Sequence, residues 1–124
     1  MILGIGIDLI EVDRVREKIE RNEAFKTTVF SVEEIAWCER QANRAENYAA
    51  RFAAKEAFLK ATGRGLALGY ELANIEIIND PSGRPVMRLA GVYLDEASKS
   101  NWNHIHVSLS HLRQTACAVV IIEQ

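Results

Sequence analysis

Residues 51–65, RFAAKEAFLKATGRG, constrain the fold more than any other stretch. On a helical wheel Ala53, Ala57 and Ala61 recur every four residues and give a smooth face for close packing. Phe52 and Leu59 form a second apolar stripe, and Glu56 and Lys60 lie between the two stripes, one turn apart. A surface helix normally carries its charges opposite its apolar residues. This spacing therefore predicts a carboxylate and an ammonium recessed in a cleft or an interface. The plainer alternative is an i,i+4 Glu–Lys pair that stabilises the helix by about 0.2–0.5 kcal/mol, and the wheel leaves both open. Gly63-Arg64-Gly65 closes the helix.

The other elements are arranged around this one. Residues 2–8 alternate Leu3, Ile5 and Ile7 with Gly4, Gly6 and Asp8, which predicts a strand. Its second face is bare up to a carboxylate, and strand glycines often mark a backbone or ligand at close range. Asp8 either ends that open face or caps the following helix, and spacing alone favours the cap. About residues 11–21 read as an amphipathic helix, with Val12, Val15 and Ile19 inward and Arg14, Lys18 and Arg21 outward. Ser31 and Glu34 make a capping box that opens a second helix containing Ile35, Trp37 and Cys38. The long helix spans about residues 44–62.

Beyond Gly63 the period changes. Residues 74–79 and 85–89 read as two strands around an Asp80-Pro-Ser-Gly83 turn, followed by a short helix over 91–99. Residues 104–111 alternate with a period of two, Ile105, Val107 and Leu109 against His104, His106, Ser108 and Ser110. Residues 116–122 are almost entirely apolar, which predicts a last strand buried on both sides. Helices first and strands later give an α+β fold with an antiparallel sheet.

Composition excludes several classes. A chain of 124 residues suffices for one domain, 1–124, and two prolines and seven glycines leave little room for a linker or a disordered tail. A net charge of −2 argues against a general nucleic-acid binder. The apolar N-terminal run lacks a basic region before it and meets Asp8 too soon for a signal peptide or a membrane span. Cys38 and Cys117 are far apart and lack metal-ligand spacing, so buried free thiols in a reducing cytoplasm are expected. His106, Ser108 and Ser110 share one strand face, but no nucleophile elbow accompanies them, so hydrolase chemistry is disfavoured. They fit a solvated face, or a wall for a phosphate-rich ligand.

Asp8 and Glu56 remain as two carboxylates on two elements, with Lys60 beside one of them. Mg²⁺ takes one or two carboxylates and completes its shell with waters and substrate phosphates. The residue types thus point to Mg²⁺-dependent chemistry on a phosphate ester or anhydride.

GIDLIEVDR at 6–14, the F-x-x-K-E-A-x-x-K-A pattern within 51–65 and HVSLSH at 106–111 resemble the small bacterial holo-acyl-carrier-protein synthases, which are 4′-phosphopantetheinyl transferases. The resemblance covers essentially the whole chain, except that the family's GTG is here Gly63-Arg64-Gly65. It implies a transferase-like α+β fold with the long helix packed on an antiparallel sheet. It also implies transfer of phosphopantetheine from coenzyme A to a serine of an acyl carrier protein, with release of 3′,5′-ADP in lipid biosynthesis. Asp8 and Glu56 match the family's magnesium ligands, and Lys60 its phosphate contact. Arg51, Gly63, Pro85 and His106 fall where relatives line the coenzyme A pocket. The small members are homotrimers with the site between protomers. Arg14, Lys18 and Arg21 form a basic face that starts near Asp8 and would suit an acidic carrier protein. Two other classes stay open: a non-catalytic coenzyme A or nucleotide binding module, and a structural subunit that magnesium and coenzyme A would not stabilise in a thermal melt.

Overall fold

The computed structural model describes residues 1–124. In chain order the elements are β1 (Ile2–Glu11), α1 (Val12–Arg21), α2 (Glu23–Val29), α3 (Val32–Glu39), α4 (Arg44–Thr62), a 3-10 turn at Leu72–Asn74, β2 (Ile75–Asn79), β3 (Pro85–Leu89), α5 (Gly91–Lys99), β4 (His104–His111) and β5 (Thr115–Glu123). β1, β5 and β4 form one antiparallel sheet in that order, and β2 pairs with β3 in a second. The architecture is α+β, as the order of helical and strand patterns predicts. No helix is long and apolar enough to cross a membrane.

α4 is the centre of the molecule. Along it Ala53, Ala54, Ala57 and Phe58 are fully buried, and Gly63, in the left-handed conformation at φ 68°, ends it. The alanine face packs directly on the glycine face of β1. A Cβ added at Gly4 would stand 1.9 Å from the Ala61 carbonyl oxygen, and one at Gly6 would stand 2.0 Å from that of Ala57. The bare strand face thus accommodates a helix backbone, and only glycine fits there.

The charge buried deepest in α4 is Lys55, with no exposed surface. Its Nζ donates to Glu34 Oε1 at 2.7 Å, Leu72 O at 2.9 Å and Ile75 O at 2.5 Å, which uses all three protons. Glu34, also buried, accepts from the Ile77 and Ser31 N–H groups, each at 3.0 Å. Burial depresses the Lys55 pKa and Glu34 pulls it back up. Glu34 therefore serves two purposes, closing the predicted capping box of α3 and tying α4 to the start of β2.

Two sequence expectations need correction. α2 was not foreseen; it opens on Asn22, whose side chain accepts from the Ala24 N–H. β5 is central in its sheet, yet only one of its faces is buried. Ala116, Ala118, Val120 and Ile122 face α4 in the core, while Cys117, Val119 and Ile121 are half-exposed. The same outer face carries Leu3, Ile5, Ile7 and Leu9 of β1, all exposed. The apolar run reflects a core face and a second apolar face that this chain alone leaves open.

Candidate active site

Asp8 lies two residues beyond Gly6 on the inner face of β1, opposite Ala118. Because the glycines let α4 approach, Lys60 reaches back across the strand. Its Nζ donates to Asp8 Oδ1 at 2.8 Å and to Ile7 O at 3.0 Å. The i,i+4 Glu56–Lys60 pair therefore does not form. Asp8 does not cap α1 either, whose N-cap is Glu11 without a side-chain bond. Glu56 is half-buried, whereas the Lys60 side chain is 56% exposed, so only the carboxylate is recessed.

Glu56 Oε1 accepts from the hydroxyl of Tyr70, a residue the sequence did not single out. Burial, and then the Glu56 carboxylate, push the Tyr70 phenol upward, so it stays a donor.

Asp8 and Glu56 line one cleft of about 230 Å³, together with Arg14 and Lys18 of α1. Arg21 is not among its lining residues. Glu56 also borders a neighbouring cleft of about 410 Å³, walled by Leu59, Lys60, Gly63, Gly65, Leu66 and Tyr70. Arg64, between the two glycines, turns away from both clefts. It donates to Ser100 Oγ at 2.9 Å, pairs with Glu96 at 3.0 Å and lies over Trp102. The departure from GTG thus anchors the loop on α5 and puts no charge in the cleft.

Arg51 and Pro85 belong to a different cluster. The Arg51 side chain is buried, donates from Nη2 to Asn79 Oδ1 at 2.6 Å and stacks on Trp37, and its Nε has no partner. Asn79 is paired with Pro85 across the β2–β3 hairpin. This cluster lies about 7.5 Å along α4 from Glu56, by five residues of helical rise. His106 is on the outer face of the sheet with Ile5 and Ile121, opposite to the face of Asp8, and lies 3.0 Å from Glu123 Oε1. One chain brings Asp8, Glu56, Lys60 and Gly63 together, and leaves His106 on the far side of its own sheet.

No group of three or more His, Cys, Asp or Glu side chains forms a closed metal cage. The donor set at the cleft is two carboxylates open to solvent. That set, with no His or Cys beside it, fits a hard, largely hydrated cation such as Mg²⁺ better than zinc, whose sites are built mainly on His nitrogen and Cys sulfur.

Comparisons with known proteins identify the family and the fold. The model of the 4′-phosphopantetheinyl transferase superfamily matches residues 4–120. The holo-[acyl-carrier-protein] synthase of Syntrophus aciditrophicus is 48% identical over 99% of this chain and 97% of its own. The crystal structure of that enzyme from Neisseria meningitidis gives a TM-score of 0.87 at 29% identity, with 100% of each chain covered. The one from Bacillus anthracis, in complex with CoA (3′,5′-ADP), gives 0.79 at 31% identity, covering 98% of this chain and 96% of that one. With the family match reaching from Gly4 in β1 to Val120 in β5, and Asp8, Glu56 and Lys60 inside it, the chain belongs to the 4′-phosphopantetheinyl transferase superfamily.

Proposed function

We propose that this protein is a holo-acyl-carrier-protein synthase, which moves 4′-phosphopantetheine from coenzyme A to a serine hydroxyl of an acyl carrier protein. The observation that carries the proposal is the convergence of Asp8 and Glu56 in one cleft, with Lys60 on Asp8 and Arg14 and Lys18 on the same wall. In this assignment Asp8 and Glu56 hold Mg²⁺, which when bound supplies positive charge to the diphosphate oxygens of coenzyme A. Lys60, exposed and within reach of the same point, donates to a phosphoryl oxygen as negative charge builds there. The serine Oγ attacks the phosphorus that bears the pantetheine. That phosphorus keeps the pantetheine oxygen and loses its bond to the bridging diphosphate oxygen, which departs with 3′,5′-ADP. Glu56 takes the serine proton. The leaving group is a phosphate monoester, so no strong acid is needed.

Five further assignments accompany it. Gly63 and the open cleft around it receive the substrate beside Lys60, and Arg51 and Pro85, in the hairpin cluster, are assigned to the coenzyme A pocket. The exposed face of Leu3, Ile5, Ile7 and Leu9 associates with further copies of the chain in a trimer, because so apolar a face is unfavourable in water. His106 lies on that face, so it can join a site only with another copy. Arg14, Lys18 and Arg21 dock the acidic carrier protein. We take residues 1–124 as one domain, supported by a single core cluster of 25 buried residues. We place it in the cytoplasm, supported by two unpaired cysteines.

Intact-mass spectrometry of an apo-acyl carrier protein incubated with coenzyme A, Mg²⁺ and this protein tests the proposal. The expected result is a gain of one phosphopantetheine group and an equal amount of 3′,5′-ADP. Coenzyme A binding without a change in carrier mass would overturn it in favour of a non-catalytic binding module.

A further inference from the structure

The two carboxylates of the cleft are held in unlike ways. Asp8 is paired with the Lys60 ammonium, whereas Glu56 has no cationic partner and a single protein donor, the Tyr70 hydroxyl on Oε1. Its Oε2 accepts no hydrogen bond from the protein.

Tyr70 is placed from a fixed point. The next residue, Glu71, donates its N–H to the hydroxyl of the fully buried Tyr93 at 2.9 Å. The preceding Gly69, at φ 80°, turns the chain there and donates its N–H to Leu66 O at 2.9 Å. At the other end of the loop Arg64 is fastened to α5. The phenol, half exposed, therefore projects from a segment anchored on either side onto the Glu56 carboxylate.

Given that Asp8 and Glu56 take a divalent cation, we propose that Tyr70 is a positioning residue for Glu56, holding one carboxylate oxygen so that the other is presented to the cation. Hydrogen-bonding partners of metal-bound carboxylates restrict the ligand to its binding rotamer, and their loss typically weakens metal affinity about 10–100-fold. The hydroxyl alone carries this role. The ring has a separate one, as a wall of the cleft beside Leu66.

Tyr70→Phe separates the two roles, since it removes the oxygen and keeps the ring. Mn²⁺ binding is followed by electron paramagnetic resonance with coenzyme A present and no carrier protein, so that no turnover occurs. Parent, Tyr70→Phe and Glu56→Gln are compared. We expect Mn²⁺ to bind Tyr70→Phe about tenfold more weakly than the parent. The melting temperature and the metal-free affinity for coenzyme A should stay unchanged. In turnover, excess Mg²⁺ should restore kcat. Equal Mn²⁺ affinity in parent and Tyr70→Phe would overturn the proposal and leave Tyr70 as a wall. A fall in melting temperature and in metal-free coenzyme A affinity that parallels the loss of Mn²⁺ would overturn it too, as the mark of a structural role. If the parent binds Mn²⁺ no better than Glu56→Gln, the metal assignment itself fails and the proposal falls with it.

Discussion

Gly6→Ala is the substitution through which the packing of this fold can be tested against its chemistry. The new Cβ would meet Ala57 O at 2.0 Å, Ala61 N at 2.8 Å and Ala57 C at 3.0 Å, all of them backbone atoms. No rotamer change relieves such contacts, so α4 must retreat by about 1.4 Å to bring 2.0 Å up to the 3.4 Å of ordinary contact. Overpacking costs about 1–3 kcal/mol when side chains can give way. With only backbone to move, the cost should be about 3 kcal/mol or more, a loss of about 10 °C or more in melting temperature for a domain of this size. The same retreat lengthens the 2.8 Å bond from Lys60 to Asp8 and parts Asp8 from Glu56. A misplacement of about 1 Å is worth about 10²-fold in rate. Calorimetric melting and steady-state transfer, measured on one preparation, read both effects. Ala57→Gly added to Gly6→Ala should rescue neither, because the clash is with the carbonyl oxygen of residue 57 and not with its methyl. A variant that melts within about 2 °C of the parent and turns over normally would refute the close-approach account, as would rescue by Ala57→Gly.

Other perturbations probe separate parts. Lys55→Met keeps the volume but leaves Glu34 buried and unpaired, so it should cost about 3–5 kcal/mol in chemical denaturation; adding Glu34→Gln should recover much of this, and no recovery would contradict the ion-pair account. Lys60→Met should lower turnover by about 10²-fold or more, while the exposed pair it breaks contributes at most about 1 kcal/mol; intact turnover with a lowered melting point would make Lys60 structural. Arg14→Glu, and less strongly Arg21→Glu, should raise the KM for the carrier protein far more than that for coenzyme A. Raising salt toward 1 M, where the Debye length falls to about 3 Å, should mimic the change in the parent; equal effects on both substrates would return the basic face to solvent.

Much of the fold was legible because its patterns are local and periodic. The alanine repeat of α4, its stop at Gly63, the Ser31–Glu34 box and the alternation of β4 each follow from a rule that acts within about seven residues. The glycines of β1 signalled a close approach, though sequence could not say whether backbone or ligand supplied it. What stayed hidden depends on distant partners. Lys55 shares a stripe with Arg51 and Leu59 on the buried side of α4, a position that hinted at burial, but its partners lie 17 to 21 residues away. Tyr70 follows an aperiodic loop with no pattern to read. α2 is only seven residues long, too short for a helical period to stand out. The outer face of β5 misled because an exposed apolar face has the same composition as one buried in the core. The period of two set His106 opposite Ile105, Val107 and Leu109 on β4, yet nothing in the sequence separated its face from the one bearing Asp8.

Dependence of transfer on Mg²⁺ concentration in Asp8→Asn and Glu56→Gln, beside the parent, tests the central claim most directly. Both changes keep the side-chain shape and remove one negative charge from the cleft. With carrier mass as the readout, the account predicts saturable Mg²⁺ activation in the parent. Each variant should show at least a hundredfold loss at low Mg²⁺, on the scale of one lost electrostatic contact to the reacting group, and a much higher Mg²⁺ requirement for whatever activity remains. Variants that titrate with Mg²⁺ as the parent does would contradict it, and would separate the convergence of Asp8 and Glu56 from the chemistry of the site.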